Sequence, residues 1–377
     1  MAANVPLIQA RPLAYAASAK ALSLALLAAL FARQGDFRLR GTTFLSESGI
    51  DGRGRAEEIA SSFWFRSAPY DGQFYLDIAS RGYRTFERRE RGIPRGNYAF
   101  FPLLPALVRV LGLHGAYAAI HLATIASACL IWRVSEDAGV PPFSAMLLFL
   151  LFPSAAFCDV LYTEALFVAL TLSAYLFAAR ARVAPTAAIG TLIGLCRPQG
   201  VLAVALISGA WLEAGGFRKR GWPLSALACL SPVLGLASFA SLLAFDVGDP
   251  LGFVTIQEDW GRDFSVLSLL SGPFGVFGPF SPPVDRASFF LFLATLPVIW
   301  SRLPRSMAVY STLLFLVPAV TGSTMSFGRF CFASFPSFMA LALVTRGRSL
   351  ALLSCLSLFV TFRVLLAEGL IAWKFVG

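Results

Sequence analysis

Apolar runs of about 11 to 22 residues recur along the chain, parted by short polar turns. They cover residues 13–31, 116–131, 143–157, 165–179, 186–196, 201–212, 224–245, 287–300, 308–320, 330–344 and 350–366. A helix needs about 20 apolar residues to cross a bilayer, so the pattern predicts a bundle of about ten or eleven transmembrane helices. Runs 186–196 and 201–212 are short halves around Arg197-Pro198-Gln199-Gly200. The proline-marked segment 100–105 starts an apolar stretch too short to span alone. Lys20 interrupts the first run and is expected to snorkel toward an end. There is no low-complexity tract and no clear internal repeat.

Two polar stretches break the pattern, 33–99 and 246–286. The first holds an amphipathic piece at 56–65, a short helical pattern over 73–83 that follows Asp71, and a charged patch at 84–95. Such pieces read as helices lying along the membrane surface. In the middle one, Phe74 with Ile78 and Tyr75 with Ala79 stand at helical spacing. An acid that opens a helix is favoured by the dipole and can cap free backbone N–H groups, which is the plain structural reading of Asp71.

Composition agrees with the hydropathy. The chain has 377 residues, of which 57% are hydrophobic and 14% charged, with a mean hydropathy of +0.71. A soluble domain carries about 25% charged residues. The fold class is therefore an all-α polytopic membrane protein, forming one membrane domain over 1–377. The net charge of +10 is mostly arginine, which in such a chain sets topology and does not indicate nucleic-acid binding. The six cysteines form no CxxC pair and read as small core residues. His114 and His121 have no carboxylate beside them, so no His-based metal site is expected. The first run is long enough to stay as a span, and Arg33 and Asp36 follow it where a cleavage site would need small residues.

Charge then orients the bundle. With the N-terminus inside, the inner turns carry Arg133; Arg180 and Arg182; Arg218, Lys219 and Arg220; Arg302 and Arg305; Arg346 and Arg348, as the positive-inside rule requires. The outer side receives the Asp71 loop, the break 159–164, the Arg197 turn, the 249–262 part of the second polar stretch, and 321–329.

Four groups on that side carry chemistry. They are Asp71 with Asp77; Asp159 and Glu164 around Tyr162 and Thr163; Arg197; and Gln257, Trp260 and Arg262, joined by Arg329. Ionisable groups at membrane depth are costly and so mark function. Arg197 needs an anionic partner, either Asp159 or Glu164 as an ion pair, or a lipid phosphate, which a guanidinium fork suits. Asp77 reads as a solvated surface acid. Trp260 and Arg262 read either as substrate contacts or as an interfacial anchor. A carboxylate beside several arginines at the bilayer surface suits one reaction. A hydroxyl is deprotonated, it attacks a sugar carried on a lipid phosphate, and the arginines meet the departing anion. No residue spacing signals a metal, and no cofactor is expected. A divalent cation on oxygen ligands is possible but not required.

These residues resemble the GPI mannosyltransferase II (PIG-V) family of GT-C glycosyltransferases, in the shorter form found in bacteria. The likeness runs through Tyr70-Asp71-Gly72-Gln73-Phe74-Tyr75-Leu76-Asp77 with Gly82-Tyr83, and through Phe100-Phe101-Pro102-Leu103-Leu104-Pro105. It continues in Phe152-Pro153-Ser154 with Tyr162-Thr163-Glu164, the Arg197-Pro198-Gln199-Gly200 turn, Asp249-Pro250 with Gln257 and Trp260-Gly261-Arg262, and Ser326-Phe327-Gly328-Arg329-Phe330. Tyr70 stands where the family usually has Trp. The resemblance implies a GT-C fold, a dolichyl- or polyprenyl-phosphate hexose donor such as mannose, inversion at the anomeric carbon, and Asp71 as the catalytic aspartate. Tyr70, Gln73, Tyr75, Asp159, Tyr162, Glu164, Arg197, Gln257, Trp260, Arg262 and Arg329 are then expected around the substrates. The expected acceptor is a hydroxyl of a glycolipid, polysaccharide or protein. The expected location is a bacterial inner membrane with the site facing the periplasm, or the endoplasmic reticulum membrane with a luminal site in a eukaryote. A lipid or sugar transporter or flippase, with half-helices broken at Arg197, is the alternative; a non-catalytic subunit is a third.

Overall fold

The computed structural model describes residues 10–33, 62–86, 95–260, 262, 283–321 and 325–374, the side chain of Trp260 excepted. Among them the fold is all helical, with one isolated bridge between Thr85 and Gly96 and no strand. Five helices are long and apolar enough to cross a membrane: Ala10–Arg33, Leu103–Asp137, Trp222–Asp246, Pro283–Arg302 and Ser349–Ile371. Five shorter apolar helices stand with them, Pro142–Leu151, Glu164–Ala178, Val183–Gly194, Arg305–Ala319 and Phe335–Val344, and the helix Ala203–Glu213 packs among them. The chain is thus an all-α polytopic membrane protein.

The segment 100–105 does not stand apart from the next span. The chain enters one helix at Leu103 that runs to Asp137, kinked at Gly112, whose φ of 70° and ψ of 174° only glycine adopts readily. Run 186–196 becomes the Val183–Gly194 helix, and run 201–212 becomes a 3-10 turn, Pro198–Leu202, leading into Ala203–Glu213. The Val183–Gly194 and Trp222–Asp246 helices approach almost backbone to backbone. A Cβ on Gly194 would lie 2.1 Å from the Pro232 carbonyl oxygen, and one on Gly235 would lie 2.1 Å from that of Thr191. Small residues permit such contacts where lipid supplies no hydrophobic drive between helices.

The two ends of the bundle differ. At one end Arg133, Asp137, Tyr175, Arg180 and Pro304 line a common recess. There Arg220 donates to the Ala181 carbonyl at 2.9 Å, and Glu213 receives the Ser306 amide and hydroxyl at 3.0 and 2.8 Å. Turns far apart in sequence therefore share this arginine-marked end. A helix of 10 to 15 residues rises about 15–23 Å, short of the roughly 30 Å hydrocarbon layer. The short helices that meet this end are bounded on their other side by the polar breaks at 159–164, 195–200 and 326–334. Phenylalanines pack the interior between them, as in the stack of Phe149 on Phe332 at 4.9 Å with Phe338 edge-on to Phe149 at 5.6 Å. The cysteines at 129, 158, 196, 229 and 331 are buried and free, as expected of small core residues.

Candidate functional site

Asp71 opens the helix Asp71–Arg81, two residues ahead of the start that the apolar spacing marks. No side chain caps that helix. Its carboxylate is aimed elsewhere: Oδ2 accepts from Nη2 of Arg329 at 2.9 Å. Asp71 thus acts as an ion-pair partner, and the capping role expected from its position is not what its side chain does. The Asp71 side chain keeps 28% of its surface exposed, while Arg329 is buried.

Arg329 joins two acids. Its Nε donates to Oε1 of Glu164 at 2.9 Å. Glu164 opens the Glu164–Ala178 helix and is 1% exposed. Nη1 of Arg197 lies 3.2 Å from the same Oε1, so of the partners considered for Arg197 it is Glu164 that pairs with it. Oε2 of Glu164 is buried with no partner among the described residues. The Arg329 guanidinium lies over the rings of Tyr162 at 4.6 Å and Phe157 at 4.7 Å, and that of Arg197 lies near Phe330 at 5.7 Å. Burial by itself would lower the Arg329 pKa, but Glu164 and Asp71 carry it well above its ordinary value.

The second polar stretch brings a third guanidinium. Nη1 of Arg262 donates to Oε1 of Gln257 at 2.7 Å, and its charge sits 5.0 Å from the Phe330 ring. Burial pushes the Arg262 pKa down to about 10; the charges of Arg329 and Arg197 push the same way, and Asp71 opposes them. Arginine does not give up its proton in practice. An under-neutralised guanidinium is relieved instead by an anion. Three guanidiniums, those of Arg197, Arg262 and Arg329, thus gather with the carboxylates of Asp71 and Glu164, and Asp285 also acts on Arg262.

The other expected contacts divide. Tyr75 is buried edge-on to Phe100 at 5.4 Å, and its pKa is raised first by burial and then by Asp71 and Glu164, which places it beside the cluster. Gln73 is fully buried and its Nε2 donates to the Ala68 carbonyl at 2.7 Å, so it holds the backbone below the helix. The Tyr70 hydroxyl donates to the Trp373 carbonyl at 2.6 Å. The side chain of Trp260, residues 56–61 of the amphipathic piece and 87–94 of the charged patch lie outside the described residues.

Three expectations need correction. Asp159 does not join Glu164: its Oδ1 holds Nζ of Lys20 at 2.5 Å and its Oδ2 holds Nη2 of Arg363 at 2.8 Å. Lys20 does not snorkel. It is 3% exposed and also donates to the Cys158 carbonyl at 2.7 Å, because a nearby buried acid offers it more than the distant interface. Burial alone would raise the Asp159 pKa, but Lys20 and Arg363 hold it below its ordinary value. Asp77 is not a solvated acid. It is fully buried and receives Arg81, Arg84 and Asn97 at 2.7, 3.0 and 2.9 Å, which knits the Asp71–Arg81 helix to the residues just before the kinked span.

Two further residues escaped the sequence reading. Asp285, in the first turn of Pro283–Arg302, accepts the amides of Ser326 and Gly328 at 2.9 and 2.8 Å and so fixes the turn that presents Arg329. Arg363 carried an available signal, a lone charge inside an apolar run. Among the described residues no group of three or more His, Cys, Asp or Glu gathers as a metal site. No family model and no curated protein matches the chain; the family resemblance rests on the six short motifs and their order.

Proposed function

We propose that this chain is an integral membrane hexosyltransferase of GT-C type. It takes its sugar, mannose by the resemblance, from a polyprenyl-phosphate donor and passes it to a hydroxyl acceptor. The observation that carries this reading is the sharing of Arg329 between Asp71 and Glu164, with Arg197 and Arg262 adjacent. Asp71 takes the acceptor hydroxyl proton as the new C1–O bond forms and the bond from C1 to the phosphate oxygen breaks. The electron pair leaves with the phosphate, whose charge the guanidiniums neutralise, and attack from the far side inverts C1. The unpartnered Oε2 of Glu164 accepts from a substrate hydroxyl. By the positive-inside rule the arginine-marked end is cytoplasmic and the site lies on the other face, in a bacterium the periplasmic one. No cofactor enters the step.

Purified protein given polyprenyl-phosphate mannose and a membrane lipid extract tests this. Wild type should transfer the hexose, and Asp71→Asn should lose about 100- to 10,000-fold in rate. Wild-type turnover in Asp71→Asn would remove Asp71 as the base. Donor that crosses a vesicle membrane with its sugar bond intact would favour the transporter reading.

A further inference from the structure

Asp71 follows a backbone conformation that tyrosine rarely adopts. Tyr70 has φ of 43° and ψ of −101°. The Gly72 amide closes a turn onto the Pro69 carbonyl at 2.9 Å, so Tyr70 stands at the first central position of a turn close to type II′, which glycine dominates. A strained residue of this kind persists only where its surroundings over-determine it.

Those surroundings come from the far end of the chain. Nε of Arg66 donates to the Ile371 carbonyl at 2.9 Å. Nε1 of Trp373 donates back to the Arg66 carbonyl at 3.0 Å. The Tyr70 hydroxyl donates to the Trp373 carbonyl at 2.6 Å, and the two rings lie 6.0 Å apart at 34°. Trp373 itself has a positive φ of 53°. Arg66, Ser67, Ala68 and Trp373 are all buried. Three bonds thus lace residues 66–70 to the turn at 371–373, and two strained residues face each other across them.

We infer that the 371–373 turn is a brace that sets the direction of the Asp71 carboxylate, with Tyr70 and Trp373 as positioning residues. The ψ of Tyr70 fixes the peptide plane that leads into Asp71. Released from the brace, Tyr70 relaxes to an ordinary negative φ, that plane turns, and Asp71 swings away from Arg329. This rests on the reading of Asp71 as the base. It also gives Tyr70 a task other than contact with the substrates.

The test uses the full chain in detergent with Tyr70→Phe, which removes only the hydroxyl, Trp373→Phe, which removes the indole N–H and shrinks the ring, and Tyr70→Gly, which relieves the backbone and removes the ring. Amide hydrogen exchange is read over residues 71–75, with kcat and KM for polyprenyl-phosphate mannose. Loss of one neutral hydrogen bond should speed exchange about two- to tenfold in each Phe variant. It should lower kcat to a similar extent, with KM and melting temperature held. Tyr70→Gly removes the brace together with the strain that opposes it, so it should lose less in both readouts than Tyr70→Phe. Wild-type exchange in all three variants overturns the brace. So does faster exchange with wild-type kcat when Asp71→Asn is inactive. If Asp71→Asn keeps full turnover, the base assignment fails, and the exchange result alone decides the brace.

Discussion

Nη2 of Arg329 donates to Oδ2 of Asp71 at 2.9 Å across 258 positions of sequence. The same guanidinium holds Glu164, which is buried. Removing one partner of a buried ion pair strands the other charge and costs about 3–5 kcal/mol. Arg329→Met leaves Glu164 paired with Arg197 and Asp71 partly exposed, so it should destabilise the chain by clearly less than that amount, read as unfolding in mixed micelles. Arg329→Lys keeps the charge but cannot bridge two acids. It should retain most of the stability and still lose transfer. Wild-type activity in Arg329→Lys would argue that the fork is not used.

The Lys20–Asp159–Arg363 cluster makes a separate prediction. Asp159→Asn leaves two buried cations without their acid and should cost about 3–5 kcal/mol. Lys20→Met leaves Asp159 paired with Arg363 and should cost clearly less. Equal stability of Asp159→Asn and wild type in denaturant titration would show that the cluster contributes nothing.

The two polar stretches are tied at the surface. Arg95 gives its amide and its side chain to Asp259 at 2.7 and 2.8 Å, and its guanidinium is about one-third exposed. An exposed pair is worth about 0–1 kcal/mol and is screened by salt. A cysteine at Gln257 should react faster with a thiol reagent after Arg95→Asp or Asp259→Arg alone. The double exchange should restore the slow rate. Equal rates in all four proteins would mean that the pair does not hold this loop.

Topology is accessible to labelling, and the structure selects the positions. Ser67 and Ala181 are buried and unsuited to it. Cysteines at the exposed Leu251 and Lys374 should react from one side of the membrane, and cysteines at Arg182 and Gly347 from the other. Reaction of Leu251 and Arg182 from the same side would overturn the alternation of spans.

The sequence by itself determined the membrane class, the run of spans, the end of the bundle that carries the arginines, and the opposite side as the one on which Glu164, Arg197 and Arg329 fall. Each of these is legible because hydropathy and loop charge are local properties, summed over about twenty residues. Only the tertiary structure decided who pairs with whom. Asp159 and Glu164 are five residues apart and identical in charge, yet one faces Lys20 and Arg363 while the other faces Arg197 and Arg329. The break between them is a bend in three dimensions, and the cations come from helices distant in sequence. Asp77 was misread for the same reason, since its burial depends on Arg84 and Asn97 folding back over it. A side chain's partner is set by how helices cross, which no local pattern records.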